Sequence, residues 1–101
     1  MMNKELFVER LRLIQNFESE RETLGVLIDK ITDGHSVVNI GDYLVIEMID
    51  MIAESMKLKD RELINWWLYV DVEKVIFVDE IEVDIDTPEK LYDYIVKYKN
   101  E

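Results

Sequence analysis

Hydrophobic residues in the first part of the chain recur at helical spacing. Asn3 precedes the pattern and is a candidate N-cap, because its side chain can accept a hydrogen bond from the first helical turn. Positions three or four apart lie on one face of a helix, so these residues predict an amphipathic helix with an inward stripe. The stripe consists of Leu6, Phe7, Leu11 and Ile14.

A polar patch at 18–22 interrupts this apolar rhythm. Ser19 with Glu22 three positions later has the form of a capping box, which favours the start of a second helix. Such a helix would end at Asp33-Gly34, where glycine can adopt the left-handed conformation. One long bent helix over residues 3–32 is the alternative. In the second helix the inward residues would be Leu24, Leu27, Ile28 and Ile31.

The segment 42–56 predicts another helix, after a connector at 35–41 in which Asn39 is a candidate cap. Only Glu47, Asp50 and Glu54 form a polar stripe on it. A helix with so narrow a polar face is expected to be central and packed on several sides. Its apolar residues are Tyr43, Leu44, Val45, Ile46, Met48, Ile49, Met51, Ile52 and Met56.

A fourth helix is predicted to follow Asp60, which can cap it. Adjacent helical residues point about 100° apart, so its two tryptophans cannot share one direction. Trp67 lies on the apolar face with Ile64 and is expected in the core. Trp66 lies on the flank toward Tyr69 and is expected to be partly exposed.

After Tyr69 the apolar period changes from 3.6 to 2, which predicts strands. The run 75–78 and the alternating segment 81–86 indicate a β-hairpin with a tight turn at Asp79-Glu80. Thr87-Pro88-Glu89 then predicts the start of a closing helix, because it combines a capping hydroxyl, proline at the first position and an acid in the first turn. This helix is expected to bury Leu91 and Ile95, with Tyr94 or Tyr98.

These elements predict the fold class. We expect a mainly helical α+β protein of four to five helices, with one C-terminal antiparallel β-hairpin followed by a closing helix. A chain of 101 residues with 49% hydrophobic residues has one core, so residues 1–101 are expected to form a single globular domain. A lone hairpin is marginal, so its apolar face must rest on the helices.

The net charge of −11 disfavours binding partners that are themselves negatively charged. A chain this acidic repels phosphate backbones and anionic lipid, which makes direct nucleic-acid or membrane binding unfavourable. The N-terminus has charged side chains from Lys4 and Glu5 onward and lacks the apolar run of a signal peptide, so we expect a cytoplasmic protein. There is no cysteine, which excludes disulfides and thiolate chemistry.

Catalytic patterns are missing from the sequence. There is no glycine-rich phosphate loop, no G-x-S-x-G and no H-E-x-x-H, and the single histidine, His35, is expected to be a surface turn residue. No cofactor is predicted. The carboxylates Glu47, Asp50 and Glu54 share one helix face and suggest an alternative, a metal-dependent nucleotide hydrolase that would need acids from a second helix to complete the ion's coordination.

Acid is concentrated between Asp71 and Glu89, where eight acidic residues face one base, Lys74. On a strand, alternate residues project from one face roughly 7 Å apart, close to the spacing of neighbouring phosphates. An exposed aromatic beside such a strand is typical of protein interfaces. The candidate partner-binding residues are therefore Trp66, Tyr69, Glu80, Glu82, Asp84 and Asp86.

The segment from Asp60 onward resembles the tail of small acidic, uncharacterised proteins encoded by phages and prophages of Gram-positive bacteria. The resemblance rests on Trp66-Trp67-Leu68-Tyr69, the short acidic hairpin, and the run 87–95, which reads T-P-E-K-L-Y-D-Y-I. Such proteins often carry an acid where this chain has Val70. The resemblance implies a setting, the bacterial cytoplasm during infection or lysogeny, and no catalytic residues.

The leading expectation is a non-enzymatic module whose acidic hairpin binds a basic protein surface. Besides the hydrolase, a second alternative is a homo-oligomeric structural component. In that alternative, apolar helix faces would pair between chains, and the candidates are Phe7, Leu11 and Ile14.

Overall fold

The computed structural model describes residues 1–32 and 37–99, with side chains for 1–20 and 43–99. It confirms the predicted fold class, a helix-rich α+β arrangement with an antiparallel hairpin before the last helix. In chain order the elements are α1 (Lys4–Thr32), α2 (Val37–Ser55), α3 (Glu62–Tyr69), β1 (Val75–Val78), β2 (Ile81–Asp84) and α4 (Pro88–Tyr98).

The N-terminal region forms one helix rather than two. Asn3 caps α1 as predicted, because its Oδ1 accepts the backbone N–H of Leu6 at 2.8 Å. The helix continues through Ser19, so the capping-box interpretation with a second helix start is wrong. Glutamate and arginine are good helix formers, so the polar patch does not end the helix. The proposed end at Asp33-Gly34 and the side chains of Leu24, Leu27, Ile28 and Ile31 lie outside the described residues.

The second helix begins earlier than the sequence indicates. α2 starts at Val37, so Asn39 and Gly41 lie inside the helix, and the predicted connector over 35–41 is wrong for that part. A glycine inside a helix costs only about 1 kcal/mol, which other interactions of the helix readily offset. His35 lies outside the described residues. The backbone N–H of Met2 donates to the carbonyl of Ser55 at 3.2 Å, so α1 and α2 run antiparallel.

α2 is not surrounded as predicted. Its buried side chains lie on one side, whereas Leu44 and Met51 are about half exposed. In a domain this small, α1 and α3 are the elements that α2 chiefly contacts, so much of its apolar circumference faces solvent. The buried positions are Val45, Ile49, Ile52 and Ala53, with Met56 directly after the helix, and the exposed apolar ones include Tyr43, Leu44, Ile46 and Met51.

One core joins the helices to the strand end. The fully buried residues Phe7, Leu11 and Ile14 of α1 meet α2 and α4 there. Trp67 is 1% exposed, and its indole Nε1–H donates to the carbonyl of Ile85, directly after β2. The helices thus hold the hairpin at its base, as the sequence requires. Among the residues with described side chains, the other core members are Val45, Ile49, Ile52, Met56, Ile64, Leu91, Tyr94 and Ile95.

The hairpin turn is at Asp79-Glu80, as predicted. Both residues have positive φ, 50° and 69°, which is the pattern of a type I′ turn. The strands then pair from Val78 with Ile81 to Val75 with Asp84. The alternation of 81–86 predicts one buried face, but Ile81 is 66% exposed, because it lies beside the turn, at the opposite end of the hairpin from the contact between Trp67 and Ile85.

The closing helix starts as the sequence predicts. The Thr87 hydroxyl oxygen accepts the backbone N–H of Lys90 at 3.2 Å, and Pro88 occupies the first turn. Between side chains that the structure describes, two exposed ion pairs connect α4 to α1. They are Lys4 with Asp93 at 2.8 Å and Arg12 with Glu89 at 3.3 Å. Within the described residues, no helix is both long and apolar enough to cross a membrane.

Candidate functional site

The outer face of the hairpin combines an aromatic side chain with acids. Residues of a strand alternate between its two faces, and paired residues on neighbouring strands share a face. The register pairs Phe77 with Glu82 and Val75 with Asp84. Phe77 is 68% exposed, so a large apolar ring lies in solvent beside Glu82. We call Val75, Phe77, Glu82 and Asp84 the outer face.

The sequence analysis does not single out Phe77, because all four residues of the run 75–78 are apolar. A two-residue turn at Asp79-Glu80 determines the register of the whole hairpin. That register places Phe77 on the face of Glu82 and leaves Ile76 on the other face. The position of the turn, combined with the alternation of side chains along a strand, therefore predicts that Phe77 and Glu82 share a face.

The four predicted acids do not form one evenly spaced row. Glu82 and Asp84 both lie on β2 and share the outer face. Glu80 is in the turn, where its positive φ removes it from the strand geometry, and Asp86 follows the end of β2. The regular spacing predicted for a strand thus applies to Glu82 and Asp84 alone.

Lys90 of α4 is shared between two of these acids. Its Nζ lies 3.1 Å from Asp84 Oδ2 and 2.9 Å from Asp86 Oδ1. The hydrogen bond from Lys90 lowers the pKa of Asp84 below its ordinary value, and the hydrogen bonds to Asp86 and Asp84 raise the pKa of Lys90. All three groups are exposed, so the pairing is well screened by solvent.

The remaining hairpin acids lack such a base. Lys74, the base nearest in sequence, places its Nζ 4.0 Å from the centre of the Trp67 ring, where it makes a cation–π contact. Across the described part of the chain, no lysine or arginine forms an ion pair with Glu73, Glu80 or Glu82. A shallow hollow of about 410 Å³ lies here, lined by Glu73, Lys74, Val75, Glu82, Asp84 and Asp86.

Trp66 lies on a different side of the hairpin from these acids. It is 36% exposed, as expected for a residue on the flank of α3. It lines a second hollow of about 550 Å³ together with Ile76, whose side chain is on the opposite face of β1 from Phe77. Tyr69, the last residue of α3, is about half exposed. The structure therefore groups Glu82 and Asp84 with Phe77 rather than with Trp66.

The acidic stripe of α2 is exposed to solvent. Asp50 Oδ2 lies 2.8 Å from an Arg61 guanidinium nitrogen, and Glu47 accepts a hydrogen bond from the Tyr43 hydroxyl, which raises the pKa of Tyr43. Glu54 is exposed on the same stripe. Among the side chains of residues 1–20 and 43–99, no three carboxylate or imidazole groups come together in a way that could hold a metal ion.

Comparison with protein-family models, with characterised proteins and with solved structures finds no match to the chain. The candidate site therefore rests on the geometry of the outer face and on the residues that surround it.

Proposed function

We propose that this chain is a non-enzymatic interaction module of phage or prophage origin that binds a basic protein surface in the cytoplasm of a bacterial host. The observation that carries the proposal is the exposed Phe77 ring beside Glu82, an acid that has no basic partner in the described structure. The origin and the cellular setting rest on the resemblance of the tail from Asp60 onward.

The chemistry of the outer face suits a protein partner. Interfaces are enriched in aromatic anchors surrounded by polar groups, because a ring contributes a large apolar area at low entropic cost. Phe77 supplies such an anchor. Glu82 supplies negative charge beside it and Glu80 adds charge in the adjoining turn, which attracts lysine and arginine side chains and repels nucleic-acid phosphates.

Ionic strength provides the first test of this proposal. Attraction between exposed opposite charges weakens as salt shortens the Debye length from about 10 Å at 0.1 M to about 3 Å at 1 M. We expect the chain, immobilised as bait in a lysate of a Gram-positive bacterium, to retain a basic protein at low salt and to release most of it at high salt. Binding that is insensitive to salt contradicts the proposal.

Charge-reversal variants locate the binding surface. The pair Glu80→Lys with Glu82→Lys removes the unpaired acids without disturbing Lys90, and it should reduce partner retention by about tenfold. The matched control is Glu47→Lys with Glu54→Lys, which changes the net charge equally on α2. Phe77→Ser should also weaken retention. Equal loss in both charge-reversal pairs would assign the effect to net charge and overturn the hairpin site.

A further inference from the structure

One flank of the α1–α2 pair carries exposed apolar side chains. Leu13 of α1 is 57% exposed and Met51 of α2 is 52% exposed, although both occur in helices that contribute to the core. Large apolar side chains in solvent are unremarkable one at a time, but a contiguous group marks an interaction surface. We call this group the α1–α2 flank: its exposed members are Leu6, Leu13, Leu44 and Met51, and the partly buried Met48 lies between Leu44 and Met51 on α2.

The spacing of the flank is that of a helix–helix interface. Leu6 and Leu13 are seven residues apart on α1, and Leu44, Met48 and Met51 follow one another at intervals of four and three on α2. This is the heptad spacing by which helices pack side by side. Because α1 and α2 are antiparallel neighbours, the apolar rows of the two helices form one surface, which is equivalent to half of a four-helix bundle.

The charges on the flank complement each other. Leu6, Leu13, Met48 and Met51 line a groove of about 250 Å³ that also contains Glu9 and Arg10, one charge of each sign. Arg10 makes no ion pair with any residue whose side chain the structure describes. A twofold axis places a surface against its own copy, so Arg10 of each chain could meet Glu9 of the other.

We propose that two copies of this chain associate through the α1–α2 flank to form a four-helix bundle. Glu47 and Glu54 lie four residues before and three residues after Met51, so acids border the flank, and Arg10 is the basic side chain of the groove that an acid of a second copy can pair with. The flank offers apolar area on the order of a few hundred Å². A stable interface covers about 800 Å² per partner, so the dimer also covers the polar side chains around the flank.

This dimer differs from the oligomer that the sequence suggests. Phe7, Leu11 and Ile14 are 0% exposed within one chain, so they cannot also pair between chains. The adjoining flank provides the pairing surface instead. The inference is independent of the proposed hairpin function, because the outer face takes no part in it.

The salt dependence of the dimer should be opposite to that of hairpin binding. Two chains of net charge −11 repel each other, and salt screens that repulsion more than it weakens the exposed Arg10–Glu9 contact, while it leaves apolar burial intact. Sedimentation equilibrium of the full chain over a range of concentrations should show a monomer–dimer equilibrium whose dissociation constant falls between about 0.1 M and about 1 M salt. A monomer at every concentration in both salts overturns the proposal.

Substitutions identify the surface used. Leu13→Glu and Met51→Glu each place a charge in the flank at a position that is already exposed, and each should raise the dissociation constant at least about tenfold. Val72→Glu is the matched control, since Val72 is 68% exposed in the α3–β1 loop and loses the same apolar character. Equal weakening by Val72→Glu, or no weakening by the flank variants, refutes the flank as the interface.

Two further measurements distinguish loss of the interface from loss of folding. Circular dichroism checks that each variant folds, and Met51→Gln replaces Met51→Glu if the charged variant does not, with the same direction of effect expected. The chain has no cysteine, so Leu13→Cys introduces a single thiol. A short bis-maleimide should cross-link it into a covalent dimer more efficiently than it cross-links Val72→Cys, and equal efficiency counts against the flank.

Discussion

Lys57 ends α2 in the left-handed region of backbone conformation, with φ of 58°. The backbone N–H of Lys57 donates to the carbonyl of Glu54 at 3.0 Å, and that of Leu58 donates to the carbonyl of Ala53 at 2.9 Å. This is the Schellman arrangement, which satisfies the last carbonyls of a helix and usually has glycine at the left-handed position. Lys57 has a Cβ, so this conformation is less favourable for it than for glycine.

Replacing Lys57 with glycine should stabilise the protein. The left-handed conformation costs a residue with a Cβ roughly 1–2 kcal/mol, whereas glycine loses about 0.5–1 kcal/mol through its greater freedom in the unfolded chain. We expect Lys57→Gly to raise the free energy of unfolding by about 0.5–1 kcal/mol, measured by urea denaturation. Lys57→Ala is the control, because it removes the charge but keeps the Cβ, and an equal gain there would argue against backbone strain.

The adjacent tryptophans show how far single residues can be predicted. A rotation of 100° per residue separates Trp66 from Trp67, and the neighbouring Ile64 identifies the inward direction. The structure confirms the prediction, with Trp67 in the core and Trp66 on the flank. The hydrogen bond from Trp67 to the carbonyl of Ile85 could not be predicted, because it joins residues 18 positions apart that only the fold brings together.

At the scale of elements, the junction between β2 and α4 is held by polar contacts. Lys90 bridges Asp84 at the end of the strand and Asp86 in the connection. Asp84 also accepts the backbone N–H of Asp86 at 3.1 Å, and Thr87 caps the helix. The short connection is thus stabilised by one lysine of α4 together with local side-chain-to-backbone bonds.

This junction predicts a dependence on pH. The folded protein lowers the pKa of Asp84, so the pair contributes stability above the ordinary carboxyl pKa and loses it as pH falls through the lowered value. The pKa of Lys90 is raised, so at alkaline pH the pair loses its stabilising contribution as pH rises through that pKa. Lys90→Met should raise the pKa of Asp84 toward its ordinary value, measured by NMR titration of its carboxyl carbon.

Lys97→Met is the matched control for that experiment. It removes the same charge from the same helix, but Lys97 contacts the ring of Tyr98 rather than Asp84. We expect it to leave the Asp84 titration almost unchanged. If Lys97→Met shifts that pKa as much as Lys90→Met does, the long-range charge of α4, and not the ion pair, is responsible.

For the whole molecule, charge and shape act together. The described chain measures 50 × 27 × 21 Å, and the 29 residues of α1 span about 43 Å at 1.5 Å per residue. The acids cluster at the hairpin, where Lys74 and Lys90 are already engaged. Self-repulsion among like charges destabilises a compact state, and salt reduces it.

Salt should therefore raise the melting temperature of the protein. The effect is best measured in dilute protein, where association adds little to the apparent stability. The variant Glu80→Gln with Glu82→Gln should show a smaller rise with salt than the wild-type protein, because it relieves the clustered repulsion. Glu47→Gln with Glu54→Gln serves as the comparison, and an equal reduction in both variants would mean that the repulsion is spread over the surface.

The sequence by itself determined the elements whose signals are local. The Asn3 cap, the Thr87-Pro88 helix start and the Asp79-Glu80 turn each depend on neighbouring residues, and the structure confirms all three. The helix-rich α+β class followed from the change of apolar period after Tyr69. Local hydrogen bonds and apolar periodicity depend only on residues that are close in sequence, which is why these features can be predicted from the sequence.

Tertiary structure decided how the surfaces are distributed. The exposed apolar side of α2 and the separation of Trp66 from the hairpin acids both depend on which elements pack together. An apolar pattern states that a side chain can be buried, but the number of neighbouring elements determines whether it is. Phe77 and the α1–α2 flank remain in solvent because no described element of this small fold covers them.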